Sequence, residues 1–179
     1  MEEIVWIRKA RDGDTAAFAR LVDAYQTHVY NLTYRMLGER MAAEDAAQEA
    51  FLRAFQNLHR YDPNRSFRTW LLSIAAHHAI DRIRRRRPQV PLEKMPPRAI
   101  DDPGPERQVV QRERSEAIQQ LLDRLSPTDR AAVTLLYWYD HSYEEIAETL
   151  DLTVSAVKSR LYRARRTMAQ AMEEGVDVL

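Results

Sequence analysis

The stretch Leu152–Arg166, LTVSAVKSRLYRARR, decides how this chain is read. It carries Lys158, Arg160, Arg163, Arg165 and Arg166 and no acidic residue, while Val154, Val157, Leu161 and Ala164 recur at helical spacing. At about 100° per residue, Val157, Leu161, Ala164 and Met168 fall on one face of a helix. Ser155, Ser159, Tyr162, Arg163 and Arg166 fall opposite, with Ala156 and Lys158 on the flanks. A helix exposed only to water normally mixes charge signs and gains pairs one turn apart; this one forgoes them. Small polar residues at its start and cations behind suit a helix end that approaches the floor of a DNA major groove. Arginine and lysine there can read guanine edges or pair with phosphates.

Working outward supports this. Ser142–Glu145, SYEE, has the serine and the glutamate of a capping box. The short helix it opens buries Ile146, Ala147 and Leu150. Asp151, Leu152 and Thr153 then form a three-residue turn, so the whole has helix-turn-helix spacing. Such a turn often needs a left-handed residue, and aspartate is among the few that tolerate that conformation. Ser126-Pro127 starts another helix, with Val133, Leu135, Leu136 and Tyr139, that ends near Asp140. A further helix is expected near Glu113–Leu125.

The first half is also helical. After Asp14, which has the chemistry of an N-cap, Phe18, Leu21, Val22, Tyr25, Val29, Leu32 and Met36 form a stripe that stops at Gly38. Ala46, Ala47, Ala50, Phe51, Ala54, Phe55 and Leu58 form another. A third helix begins near Ser66 and runs into a basic knot, Arg82 and Arg84 to Arg87. A short helix is expected near Ile4–Arg11. Between the halves, RPQVPLEKMPPRAIDDPGP concentrates proline, which lacks an amide donor and disfavours helix in the residue before it. The expected organisation is all-α: two small helical domains, 1–88 and 113–179, joined by a flexible linker over 89–112.

Composition narrows the function. The 179 residues hold 27 Lys/Arg and 27 Asp/Glu, so a zero net charge hides two local cationic patches. There is no cysteine, hence no disulfide or thiolate metal site. The N-terminus MEEIVW is not a secretory signal, and a soluble cytoplasmic protein is expected. The five histidines (His28, His59, His77, His78 and His141) lack metal-ligand spacing, and no glycine-rich phosphate loop appears. Neither an enzyme nor a cofactor or metal site is expected. The main alternative is a stand-alone helix-turn-helix transcriptional regulator, which leaves the first half unexplained.

SYEEIAETLDLTVSAVKSRLYRARRTM resembles region 4 of the extracytoplasmic-function (ECF, group IV) sigma factors of the sigma-70 family. AEDAAQEAFLRAF, Ala43–Phe55, resembles that family's region 2.2, and FRTWLLSIAAHHAIDRIRRRR, Phe67–Arg87, its regions 2.3 and 2.4. The resemblance implies a promoter-specificity subunit of bacterial RNA polymerase, with promoter DNA, core polymerase and an anti-sigma factor as partners. On region 2.2, Asp45, Gln48, Glu49, Phe51 and Leu52 match the positions that dock on the clamp helices of the largest polymerase subunit. The resemblance implies that region 4 docks on the polymerase as well.

The same resemblance places −10 recognition on the loop Tyr61–Arg68 and the helix after it. Phe67 and Trp70 would stack or wedge bases, or else form core, and Arg65 and Arg68 would hold phosphates. The family often has asparagine in a pattern A-x-N-x-x-x-D-x-x-R. Here the positions are Ala75, His77, Asp81 and Arg84, so histidine replaces it. Arg82, Arg84 and Arg85 would meet duplex phosphates. For the −35 element, Ala156, Lys158, Ser159, Tyr162 and Arg163 are expected near bases, and Thr153, Ser155, Arg160, Arg165 and Arg166 near phosphates. The linker, with Asp101, Asp102 and Glu106, would thread toward the polymerase active-site channel.

Overall fold

A computed structural model describes residues 2–86 and 105–174. The side chains of 105–113, and the part of the expected 89–112 linker that runs over 89–104, lie outside that description. The described residues form eight α-helices: α1 Glu2–Arg11, α2 Thr15–Leu37, α3 Arg40–Asn57, α4 Phe67–Arg85, α5 Pro105–Asp123, α6 Pro127–Tyr139, α7 Tyr143–Leu150 and α8 Val154–Glu173. A 3-10 turn, Leu58–Arg60, follows α3, and no strand occurs among the described residues.

The helix ends follow from local chemistry. Asp14, Ser66, Ser126, Ser142 and Thr153 each accept a hydrogen bond from an amide of the first turn they precede, satisfying an otherwise orphaned donor. Gly38 ends α2 at φ 70° and donates to the Tyr34 carbonyl. Asp140 and Asp151 adopt left-handed φ of 52° and 54° after α6 and α7. Helix α5 differs from expectation. It begins at Pro105, inside the segment read as linker, because proline is tolerated in the first turn, where its missing amide would be unpaired anyway.

Helices α1–α4 form one bundle and α5–α8 a second, and the two pack together. Leu21, Leu32, Met36, Leu71 and Leu72 of the first, and Leu122, Val133, Leu135, Ile146 and Leu161 of the second, belong to one apolar core. Helices α6 and α7 lie against α4, and α6 also against α2. Alanines at 42, 43, 46, 47, 50 and 54 are buried on α3, and small side chains there let α2 and α4 approach closely. No helix of the described residues is long and apolar enough to cross a membrane.

Candidate nucleic-acid interface

The helix-turn-helix is built as its sequence implies. The Ser142 hydroxyl accepts from the Glu145 amide at 3.1 Å, and the Glu145 carboxylate accepts from the Ser142 amide at 2.7 Å. That backbone hydrogen bond holds the Glu145 carboxyl below the usual carboxylate range. After the left-handed Asp151, the Leu152 amide reaches back to the Ala147 carbonyl at 2.8 Å. Thr153 then caps α8 through the Ala156 amide at 3.1 Å. Val157, Leu161 and Ala164 are buried against α6 and α7.

The opposite face of α8 is open. Thr153, Ser155, Lys158, Ser159, Tyr162, Arg163, Arg165 and Arg166 are exposed, and Ala156 is half-buried. Two of the expected phosphate ligands have local partners. Arg160 donates to the Asp129 carboxylate at 2.8 Å and ties α8 to the start of α6. Arg165 donates to the Tyr137 hydroxyl at 3.2 Å and reaches the Tyr143 hydroxyl at 3.5 Å. Those two hydroxyls push its guanidinium above the ordinary arginine value. The Arg166 guanidinium lies 6.0 Å from the Tyr162 ring centre, which steers that cation along the same face. Composition gave no sign of Asp129, Tyr137 or Tyr143; only the packing of α6 brings them here.

In the first bundle, Phe67 is 2% exposed. Its ring packs among Tyr25, Tyr61 and Trp70 at centre distances of 5.4–5.6 Å, so it is core, the second of the two roles considered for it. Trp70 is half-buried. The Tyr61 hydroxyl donates to the Arg65 carbonyl and fixes the loop that leads into α4. His77 is exposed, and its Nδ1 lies 2.8 Å from the Ser73 carbonyl. A carbonyl only accepts, so Nδ1 carries a proton, and in the neutral ring Nε2 is left as a surface acceptor. Asp81 and Arg85 are exposed, while Arg82 reaches Asp45 of α3 at 3.4 Å. Arg65, Arg68 and Arg84 face the second bundle. Arg65 pairs with Glu148 at 2.8 Å, Arg84 donates to Thr128 at 3.2 Å, and the Arg68 guanidinium sits 5.6 Å from the Tyr139 ring centre.

The third surface is on α3. Asp45, Gln48 and Leu52 are exposed, and Glu49 is half-exposed. Glu49 accepts from Arg53 at 2.6 Å, which holds its carboxyl low. Gln48 and Phe51 line a groove against α2 with Val22, Gln26, Thr27 and Tyr30. Met41, Leu52 and Phe55 add exposed apolar surface on the same helix.

A basic helix on a helix-turn-helix, joined to a second bundle with an apolar-and-acidic face, defines a two-part helical DNA-binding protein. Residues 21–89 match the family description Sigma-70 region 2, and residues 115–168 match Sigma-70, region 4. The chain is 39% identical over 178 residues to the ECF RNA polymerase sigma factor SigW of Bacillus subtilis (strain 168), covering 94% of this chain and 95% of that one. Among solved structures, CnrH in complex with the cytosolic domain of CnrY is similar in fold, with TM-score 0.71 and 22% identity, covering 98% of this chain and 99% of that one. The sigma factor RpoE in complex with the anti-sigma factor NepR from Bartonella quintana is also similar in fold, with TM-score 0.65 and 17% identity, covering 87% of this chain and 96% of that one. The chain belongs to the ECF RNA polymerase sigma factors. The stand-alone regulator is thereby set aside, since the first half matches a sigma region that such a regulator lacks.

Proposed function

We propose that the chain is a group IV sigma factor that works in the cytoplasm, in a stress or envelope response, with residues 1–88 and 113–179 acting as separable units on a linker over 89–112. The first unit docks on the clamp helices of the largest polymerase subunit through Asp45, Gln48, Glu49, Phe51 and Leu52. It reads the −10 element with the loop 61–68 and with α4. Arg65, Arg68, Arg82, Arg84 and Arg85 hold phosphates, and Trp70, His77 and Asp81 line the base-reading side. Phe67 supports that surface from beneath. The second unit reads the −35 element, with Ala156, Lys158, Ser159, Tyr162 and Arg163 toward bases and Thr153, Ser155 and Arg166 toward phosphates. Arg160 and Arg165 orient the helix from its sides. The protein makes this contact as a subunit and catalyses no step itself. An anti-sigma factor is its regulator, by analogy with the RpoE–NepR complex.

The observation that carries this reading is the exposed face of α8 from Val154 to Arg166, free of acids, on a capped helix-turn-helix, in a chain whose α3 also exposes Leu52 at 51%. Leu52 and Phe55, both exposed and one turn apart on α3, put contiguous apolar surface beside carboxylates, as at a protein-interaction site. Leu52→Glu is expected to abolish co-elution with core polymerase while leaving the melting temperature unchanged. Undiminished co-elution would move the docking surface off α3.

A further inference from the structure

We propose that Met41 is the leading contact of the polymerase-docking row on α3, and that its oxidation by peroxide to the sulfoxide weakens docking. The inference rests on reading α3 as the docking helix.

Helix α3 sorts its residues by face. At about 100° per residue, Met41, Asp45, Gln48, Leu52 and Phe55 fall within about 80° of one another, and all five are exposed. Ala43, Ala46, Ala47, Ala50 and Ala54 fall opposite and are buried. The exposed row is about 21 Å long at 1.5 Å per residue. Met41 stands at its start and, at 72% exposure, is the most exposed large apolar side chain among the described residues. A single exposed methionine means little, since much of any protein surface is apolar. This one lies in register with Leu52, three turns further along the same face. It also lies before Ala43, where the likeness to region 2.2 begins, so the family pattern assigns it no role.

The charges beside the row are paired among themselves. Arg40 meets Glu44 at 2.9 Å, Arg53 meets Glu49 at 2.6 Å, and Arg82 meets Asp45 at 3.4 Å. An apolar centre with a polar rim is the make-up of a surface that a partner covers. A methionine at the end of such a row is flexible and polarizable, and adapts to the contours of whatever covers it.

The thioether also gives the row a chemistry. The chain has six methionines and no cysteine, so methionine is its only sulfur. Met36 is 0% exposed in the core, whereas Met41 meets solvent directly. Attack by the Met41 Sδ lone pair on hydrogen peroxide forms an S–O bond and breaks the O–O bond. The transferred hydroxyl gives its proton to the departing oxygen, which leaves as water. Sulfur loses two electrons and peroxide gains them. A polar sulfoxide then stands where an apolar thioether stood. Docking strips water from that oxygen, a cost the thioether does not carry. Enzymatic reduction of the sulfoxide restores the thioether, so the change is reversible.

The test uses the full-length chain, treated with hydrogen peroxide, desalted, and titrated against untreated core polymerase. Peptide mass spectrometry reads the sulfoxide at each methionine. Affinity for core should fall by about tenfold or more once Met41 is oxidised, the worth of covering one methionine side chain. It should recover after treatment with the two methionine sulfoxide reductases, one for each sulfoxide epimer. Met172 is exposed on α8, so Met172→Leu is the control and should show the same loss as the wild type. Met41→Leu, whatever its own starting affinity, should be insensitive to the treatment. Met41→Gln brings a polar group without oxidant and should weaken core binding at an unchanged melting temperature. Unchanged affinity with sulfoxide present at Met41, a full peroxide loss in Met41→Leu, or wild-type binding by Met41→Gln would each overturn the inference. Leu52→Glu without oxidant separates this from the docking reading. If Leu52→Glu binds core normally, both fall; if it fails to bind while oxidised wild type and Met41→Gln bind normally, only the role of Met41 falls.

Discussion

Leu161→Ala separates the buried seam of α8 from its DNA-facing side. Leu161 is 1% exposed and lies in the core where α8 meets α6 and α7. Truncation to alanine removes three carbons from that contact. At about 0.8 kcal/mol per buried methylene, the transfer loss is about 2.4 kcal/mol. The cavity left behind brings the expected cost into the range of about 2–5 kcal/mol. For a chain of this size, about 3 kcal/mol corresponds to a melting temperature lower by roughly 6–12 °C. Tyr162, the next residue, is 62% exposed, and its replacement by alanine should change stability by less than about 0.5 kcal/mol. Thermal and urea unfolding of both variants, followed by circular dichroism, gives the comparison. A Leu161→Ala cost under about 1 kcal/mol, or equal losses for the two variants, would refute this orientation of the helix.

Three other perturbations probe different links. Lys158→Ala and Arg163→Ala are each expected to weaken binding to −35 DNA by about 1–3 kcal/mol and to change base preference; an equal loss on every sequence in a binding-site selection would assign that residue to phosphate. Gly38→Ala should cost about 1–2 kcal/mol in urea unfolding, because φ 70° disfavours any side chain. Its new Cβ would also stand 2.9 Å from Gln119 Nε2, so an unchanged midpoint would argue against that close approach. Glu145 has a lowered carboxyl pKa in the folded chain, so its contribution is complete above the ordinary carboxylate value and is lost as pH falls through the lowered one. Glu145→Gln keeps the capping geometry without the titration, and its melting temperature should fall less steeply than the wild type's below about pH 5; parallel profiles would contradict this.

What the sequence made legible was local. Ser142 with Glu145, Asp151, and Ser126-Pro127 state their roles within four residues of themselves, and the helix-turn-helix follows from them. The alternation of apolar and cationic positions along α8 separates its seam from its outward face in the same way. The start of α5 was hidden, because a proline-rich run reads alike as linker and as the first turn of a helix. Partners distant in sequence were hidden too. Nothing near Arg160 points to Asp129, and nothing near Arg165 points to Tyr137 and Tyr143, so two cations that count toward the basic face are partly committed to holding α8 in place. Arg130 is the clearest case: within PTDRAAV it looks like a surface arginine, yet it is buried at the end of α2, a helix far away in the chain.

The most direct test is run-off transcription. Purified protein is added to bacterial core RNA polymerase on a pool of genomic DNA, and the 5′ ends of the transcripts are sequenced. Discrete start sites that share two spaced upstream motifs, and that vanish without the protein, are the predicted result. Sequence-specific DNA binding by the protein alone, with no protein-dependent initiation from several bacterial cores, would contradict it.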